Sequence, residues 1–350
     1  MSQSGVWVMK SGCSLGSCGR QRGVTLIELM ISLVIGTLIL AGVTYVFFES
    51  RTSYRYNETM SRVQENGRLG LDAIAFDTRM AGFFGCGKPD LIPINVIANT
   101  PPVSAVGGGI AVTGYSSDDP EVAFVGESVA GSEVLVIRRG SDRALNLVGN
   151  LTTVNANIQV GSNPDNMVAG DVLLVTDCSV GDLFRATTVS SSSGSITTVA
   201  HAESTNSSNN LSKTYGPDAQ LMRFLDIAFF LRDSGRDTKN GRPIYSLFRR
   251  VNGVDEELVD GVADLRFFFA LDGDPTQFVS AGAVGDWARV VAVRVHLLAS
   301  TQEEELTEPQ PYRFADDVGD DGMSGGLVMP DDRVMRQEFT QVIALRNRLQ

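Results

Sequence analysis

The chain is poor in the side chains on which most enzymes and metalloproteins depend. It has two histidines and four cysteines in 350 residues. His201 and His296 are far apart and lack ligand spacing, so each reads as structural, His201 in a polar loop and His296 on a strand. No nucleophile elbow, phosphate-binding loop or dinucleotide fingerprint occurs. Gly107-Gly108-Gly109 is followed by neither a lysine nor a helix signal and reads as a turn. No internal repeat of fixed period is present. These absences point away from catalysis by this chain and imply no cofactor. Basic residues are scarce as well, 29 Lys and Arg against 41 Asp and Glu, which argues against nucleic acid as a partner. The acidic run Asp316–Asp321 invites a calcium reading. Aligned from Asp317 to the EF-hand loop it keeps Asp321 and Gly322. It places Gly319 at the third position and Val328 where a glutamate is needed, so a solvated loop is the simpler reading. Asp272-Gly273-Asp274-Pro275 is another turn.

What the chain does have is concentrated near its start. Arg20-Gln21-Arg22-Gly23 leads into Val24-Thr25-Leu26-Ile27-Glu28, and from Leu29 to Phe48 there are twenty residues without a charge. As a helix that run spans the hydrocarbon core of a bilayer, at about 1.5 Å per residue. Three readings compete. A secretory signal peptide would have an apolar core of about 7–15 residues and an A-x-A-like cleavage site. This run is longer, and Phe47-Phe48-Glu49-Ser50-Arg51 is bulky and charged. A plain membrane anchor explains the length but leaves Glu28 without a role, although an acid in lipid is costly and calls for a partner. The third reading is a processed segment. A cut after Gly23 would create an ammonium at Val24, and residues four apart share a helix face, so Glu28 would point the same way as that amine. A carboxylate in the first turns also suits the positive end of the helix dipole. An intrachain or lipid-headgroup contact of Glu28 is the plainer alternative.

Residues 1–23 carry Lys10, Arg20 and Arg22 and no acid, a charge of +3. The remainder holds 26 basic and 41 acidic residues, a net −15. Positive charge before the apolar run predicts a cytoplasmic N-terminus and an exported body. Met9 is an alternative start that would shorten the leader. Cys13 and Cys18 fall in the leader, which leaves Cys86 and Cys178. In an oxidising compartment these two most simply form one disulfide, with two free buried thiols as the alternative. Closing so long a loop stabilises by about 4–5 kcal/mol in the chain-entropy picture.

No proline occurs between Val24 and Lys88. Beyond Arg51 the sequence turns polar, yet Met60, Val63, Gly67, Leu71 and Ile74 keep helical spacing, a stripe for packing. The spacing predicts one helix from Val24 to about Met80, roughly 85 Å long, with an anchor and a separate second helix as the alternative. Gly67 and Gly70 mark either a bend or the close approach of a strand. The glycines of Ala81-Gly82-Phe83-Phe84-Gly85-Cys86-Gly87 end the helix. Strands are predicted at Glu133–Arg138, Asp171–Thr176, Leu183–Val189, Ser195–Val199, Met222–Leu231, Ile244–Val251, Ala263–Leu271 and Ala288–Leu298. In the last of these, alternation places Val291, Val293, Val295 and Leu297 on one face with Arg289, and Arg294 and His296 on the other. Ser190–Ser193 and Glu203–Ser212 read as polar loops.

Gly23-Val24-Thr25-Leu26-Ile27-Glu28 resembles the prepilin motif of type IV pilins and type II secretion pseudopilins. Gln64–Arg68, Met80–Cys86, Gly170–Cys178 with Leu183-Phe184, and Phe339–Arg348 resemble minor pilins of the PilW type. Leu258–Phe267 resembles a segment shared with J-type pseudopilins. The resemblance implies cleavage after Gly23 by a prepilin peptidase, methylation of Val24, and pairing of Glu28 with the amine of a neighbouring subunit. Val24 stands where the family usually has Phe. The implied fold is α+β and pilin-like: a leader at 1–23, and a helix at 24–82 that is membrane-embedded over 24–48 and amphipathic over 49–82. A β-rich periplasmic domain follows at 83–350, and its polar loops mark a division into two sub-lobes near 200–218. The implied partners are the peptidase, other minor pilins and the major pilin, the inner-membrane assembly platform, a tip adhesin and membrane lipid. The implied location is the inner membrane, then the pilus. A J-type pseudopilin and a membrane-anchored periplasmic enzyme are the rival readings.

Overall fold

A computed structural model describes residues 23–85, 92–99, 111–116, 119, 128–191, 196–315 and 327–348. Cys13, Cys18, Cys86, Gly107–Gly109, Asp316–Asp321 and all of the leader but Gly23 lie outside the described residues. The chain separates into two compact units, residues 1–55 and 56–350. A single helix, α1 (Leu26–Arg79), runs without a break, so the alternative of two helices does not hold.

Within the second unit the helical stripe packs as its spacing predicts. Val63, Gly67, Leu71 and Ile74 are buried, joined by Gly70, Ala75, Asp77 and Thr78. A Cβ on Gly67 would lie 2.3 Å from the ring of Phe339, and one on Gly70 would lie 2.9 Å from Leu297 Cδ1. The two glycines therefore answer to close approach of strands and not to a bend. After Arg79 the chain turns away. The N–H groups of Met80 and Ala81 close on the carbonyls of Asp77 and Thr78, and Gly82 adopts φ 71°.

Among the described residues sixteen strands follow. The first nine are β1 (Ile94–Val96), β2 (Val112–Ser116), β3 (Glu133–Gly140), β4 (Leu145–Asn146), β5 (Ile158–Val160), β6 (Val172–Thr176), β7 (Gly181–Arg185), β8 (Thr188–Ser191) and β9 (Thr197–Ala200). Then come β10 (Gln220–Asp237), β11 (Pro243–Val251), β12 (Val254–Asp260), β13 (Val262–Leu271), β14 (Asp274–Ser280), β15 (Val290–Ser300) and β16 (Arg336–Ala344). Nine form one sheet along the path β1-β7-β6-β10-β11-β12, with β3 and β4 also on β10 and β2 on β3. A second sheet runs β14-β13-β15-β16, and a third runs β5-β9-β8. Every pair is antiparallel except β1 with β7. The long strand β10 changes partners along its length. Gln220–Arg223 pair with β6, Phe224–Phe229 with β3, and Ile227 onward with β11.

Alternation along these strands builds the main core. Leu135 and Ile137 of β3, Ile227, Phe229 and Leu231 of β10, Leu265, Phe267 and Phe269 of β13, and Val293, Val295 and Leu297 of β15 all join the helix stripe in one cluster. A second cluster draws on Leu147, Ile158, Phe184 and Val199. The segment near 200–218, expected to divide the domain, contributes Leu211 and Tyr215 to it.

Several expectations need correction. The residue facing the core at the start of β15 is Val290, not Val291. Ala270 pairs with Ala292 and Leu271 with Val290, so Val291 is the extra residue of a bulge and the alternation shifts by one. Leu183–Val189 is two strands, β7 and β8, and Ser190 and Ser191 belong to β8 rather than to a loop. Glu203–Ser212 is polar yet anchored, because Asn206 and Leu211 within it are buried. Strand β12 was not foreseen, because Val-Asp-Glu-Glu-Leu-Val-Asp lacks apolar alternation. It is an edge strand held through the Asn252-Gly253 turn, with φ 51° and 87°, and by placing Asp255 and Glu256 opposite Arg250 and Arg249.

Gly67→Ala should therefore destabilise the fold despite alanine's advantage of about 1 kcal/mol as a helix former. The added methyl meets the Phe339 ring, and overpacking of this kind costs about 1–3 kcal/mol. Chemical denaturation of the variant beside Gly36→Ala, where a Cβ meets nothing within 4 Å, checks this: only Gly67→Ala should lower the midpoint.

Candidate functional site

The first turn of α1 brings Thr25 and Glu28 together. The Thr25 carbonyl accepts the amide of Leu29 at 3.1 Å, the first helical bond, which makes Thr25 the N-cap. Its Oγ1 accepts the Glu28 amide at 3.3 Å, and Glu28 Oε2 accepts the Thr25 amide at 3.3 Å and its hydroxyl at 3.2 Å. This is a capping box, T-x-x-E, in which hydroxyl and carboxylate satisfy each other's orphan amides. Glu28 thus makes an intrachain contact, and Thr25 is the residue that sequence reasoning missed. Its signal was the same Thr-Leu-Ile-Glu spacing, read only for the acid. Gly23 and Val24 precede the cap and are exposed, Val24 by 71%.

Beyond the cap the helix is apolar on every side. Leu29, Leu38 and Phe48 are 60–68% exposed. An 18-residue window reaches mean hydropathy 2.4 with none of it buried. The serine and threonine hydroxyls along it are satisfied internally: Ser32 donates to the Glu28 carbonyl at 2.7 Å, Thr37 to Val34 at 2.9 Å and Thr44 to Leu40 at 2.7 Å. A helix with its polar groups closed on itself and apolar side chains outward is what a bilayer accepts.

Of the sequence-predicted cysteines, Cys178 lies in the turn between β6 and β7 with φ 70°. The turn is held by Asp177 Oδ1, which accepts the amides of Ser179 at 3.1 Å and Val180 at 3.2 Å, and by the ion pair of Asp177 with Lys213. Burial opposes ionisation of Asp177, but these donors hold its carboxyl well below the usual range. The two histidines do not meet. His201 bonds the Ala156 carbonyl through Nε2 at 3.0 Å against Phe184, and His296 Nδ1 lies 2.6 Å from Glu338. Among the described residues no group of three or more His, Cys, Asp or Glu could hold a metal ion.

Three charged clusters escaped the sequence reading, because each draws at least one partner from a distant part of the chain. Asp77, 1% exposed, accepts Arg139 Nη2 at 2.9 Å and Arg249 Nε at 2.8 Å, tying the end of α1 to β3 and β11. Asp226 lies 3.2 Å from Arg138; burial pushes its carboxyl up to about 6, with the guanidinium opposing. Asp332 receives Arg336 Nη1 and Nη2 at 2.7 and 2.8 Å and Arg242 Nη1 at 2.8 Å. The Arg336 fork is the main reason its carboxyl is held at about 2.

Comparison with known families agrees with this geometry. The prokaryotic N-terminal methylation motif matches residues 18–44, the capped turn and the start of the apolar helix. The match describes a pilin-like chain with a transmembrane-capable helix. The model of PilW, the type IV pilus-assembly protein W, matches residues 237–347, from the end of β10 past β16. Together they support a type IV pilus minor pilin of the PilW type. No curated protein and no solved structure matches the chain.

The Asp332 cluster sets a pH dependence. Its folded value lies below the ordinary 3.8, so its contribution is complete above about pH 4 and is lost as pH falls toward about 2. Denaturation midpoints followed across that window should fall, this group accounting for about 2 kcal/mol. In Asp332→Asn the midpoint should be lower at neutral pH and its decline across the window shallower.

Proposed function

We propose that this chain is a minor pilin cut after Gly23 by a prepilin peptidase and methylated at Val24, which then takes its place in a type IV pilus. The observation that carries this reading is the capped first turn: an exposed Gly23–Val24 pair, then one carboxylate, Glu28, at the head of an apolar helix with no other charge to Phe48. In this reading residues 1–23 are the leader, residues 24–82 the helix and residues 83–350 the exported domain. The chain waits in the inner membrane with its N-terminus in the cytoplasm. There it joins other minor pilins, the major pilin and the assembly platform, helps to prime the filament and supports display of a tip adhesin.

Cleavage removes the peptide bond before Val24 and leaves an ammonium one residue before Thr25. Glu28 then has two competing uses, the Thr25 cap and the amine of a neighbouring subunit. The cap keeps the carboxylate satisfied while the subunit waits in lipid, where an unpartnered acid is costly. Transfer to an ammonium exchanges neutral donors for a charged one, which is the stronger bond.

Cys86 and Cys178 form the disulfide in this reading. Its supports are that Cys178 is a bonded cysteine and that Gly85, next to Cys86, lies against Thr176, two residues before Cys178. Mass spectrometry of the protein before and after reduction should show a gain of two hydrogens confined to the peptides of Cys86 and Cys178. Free thiols at both positions would remove this element.

N-terminal mass spectrometry of membrane-derived protein should find methylated Val24 as the first residue, and an intact Gly23–Val24 bond would sink the reading. Glu28→Ala should leave cleavage largely intact and lower the amount of the chain in sheared pili. Thr25→Ala removes the cap but keeps the acid, so its loss of incorporation should be the smaller. Deletion of the gene separates the pilin from the pseudopilin: loss of pili and twitching supports the first, loss of secreted exoproteins the second.

A further inference from the structure

A cleft of about 450 Å³ opens where the nine-stranded and four-stranded sheets meet. Gly261 is the joint. It links β12 to β13 at φ 72°, donates its amide to Tyr245 and accepts the amide of Ser300, and a Cβ there would lie 2.6 Å from the Ser300 carbonyl oxygen. Around this joint the β10–β11 turn, the start of β13, the end of β15 and the start of β16 converge. The volume falls in the range of sites for small molecules, about 300–1,000 Å³.

The charges bordering the cleft are balanced against one another. Arg336 and Arg242 both close on Asp332. Asp264, whose carboxyl burial pushes up with Arg266 opposing, lies 3.2 Å from Arg266 Nε. No surplus charge is left to select an ionic ligand. What lines the space is mostly apolar, aromatic and aliphatic, with a few polar groups. Tyr245, Tyr312 and Phe314 line it, with the half-buried Asp264 carboxyl and the exposed Gln302 amide. Among the described residues neither tyrosine hydroxyl has a hydrogen-bond partner. The Tyr312 ring is backed by the Arg336 guanidinium, 5.2 Å from its centroid, which holds the ring in place. An added peptide strand has little to pair with here, because β15, which supplies Leu298 and Ser300, is already paired on both edges.

We propose that this cleft binds a neutral carbohydrate of one or two rings, its apolar face on Tyr245 and Tyr312 and its hydroxyls on the tyrosine hydroxyls, Gln302 and Asp264. A sugar ring has one face of C–H groups suited to an aromatic surface. Its rim of hydroxyls both donates and accepts, which suits phenol, amide and carboxyl groups together. The site is separate from the N-terminal processing segment, so it stands or falls independently of pilus assembly.

The test uses the full chain in micelles of a detergent without a sugar headgroup. Glucose, galactose, N-acetylglucosamine and maltose are the probes, with N-acetylneuraminic acid as the anionic control, followed by saturation-transfer NMR and calorimetry. At least one neutral probe should bind with a Kd below about 10 mM and in preference to the anionic control. Tyr245→Phe and Tyr312→Phe keep the rings and remove the hydroxyls. Each should weaken that binding by about three- to tenfold, with the melting temperature unchanged. Tyr245→Ala, which also removes a ring, should weaken it further. The proposal is overturned if no neutral probe binds, if the anionic control binds better than all of them, or if binding is unchanged in both Phe variants.

Discussion

The fold of the 56–350 unit depends on how closely the last five turns of α1 lie against the strands. At Gly67 and Gly70 there is no room for a methyl group, so the Phe339 ring and the Leu297 and Leu247 methyls reach the helix backbone itself. That approach buries Val63, Leu71 and Ile74, each worth about 1.5–3 kcal/mol, which outweighs the roughly 1 kcal/mol that a glycine costs a helix. The same face then buries Asp77, and a buried carboxylate must be paired. Arg139 from β3 and Arg249 from β11 provide the pairing, and because they come from two strands they fix the helix in rotation as well as in depth.

α1 thus carries two surfaces of opposite kind. From Leu26 to Phe48 its apolar side chains are exposed, its serine and threonine hydroxyls bond to its own carbonyls and its one acid is tied into the cap. From Val63 to Thr78 one face, with Val63, Leu71, Ile74 and Ala75, is buried against strands, while Leu69 and Phe76 stay half exposed. The first surface is apolar and open, and the second packs the strands of the 56–350 unit against the helix. The family matches divide similarly, one over the start of the helix and one over β11–β16 and the end of β10. The core built on Leu147, Ile158, Phe184 and Val199 lies outside both.

Much of this was legible in the residues, for identifiable reasons. The membrane-length run, the stripe from Met60 to Ile74 and most strands are periodic, and periodicity is a local property. The failures are equally specific. β12 was missed because it is an acidic edge strand held by arginines on β11. Val291 was assigned to the core face because a bulge opposite Ala270 and Leu271 cannot be seen in one strand alone. Thr25 was passed over because its use lies in hydrogen bonds to Glu28, not in its polarity. Glu203–Ser212 looked like an ordinary polar loop, yet Asp182, buried beneath it, accepts the Ser212 amide and the Tyr215 hydroxyl and holds it down.

By itself the sequence determined the N-terminal methylation motif, the apolar span, the end of the helix among glycines and the α+β succession, since each follows from neighbours within a few turns or along a single strand. Tertiary structure alone decided why Gly67 and Gly70 are glycines, which arginines meet Asp77, and that Tyr245 and Tyr312 line one cleft. These depend on residues tens to hundreds of positions apart, brought together only when the sheets close on the helix, and no local pattern encodes that distance.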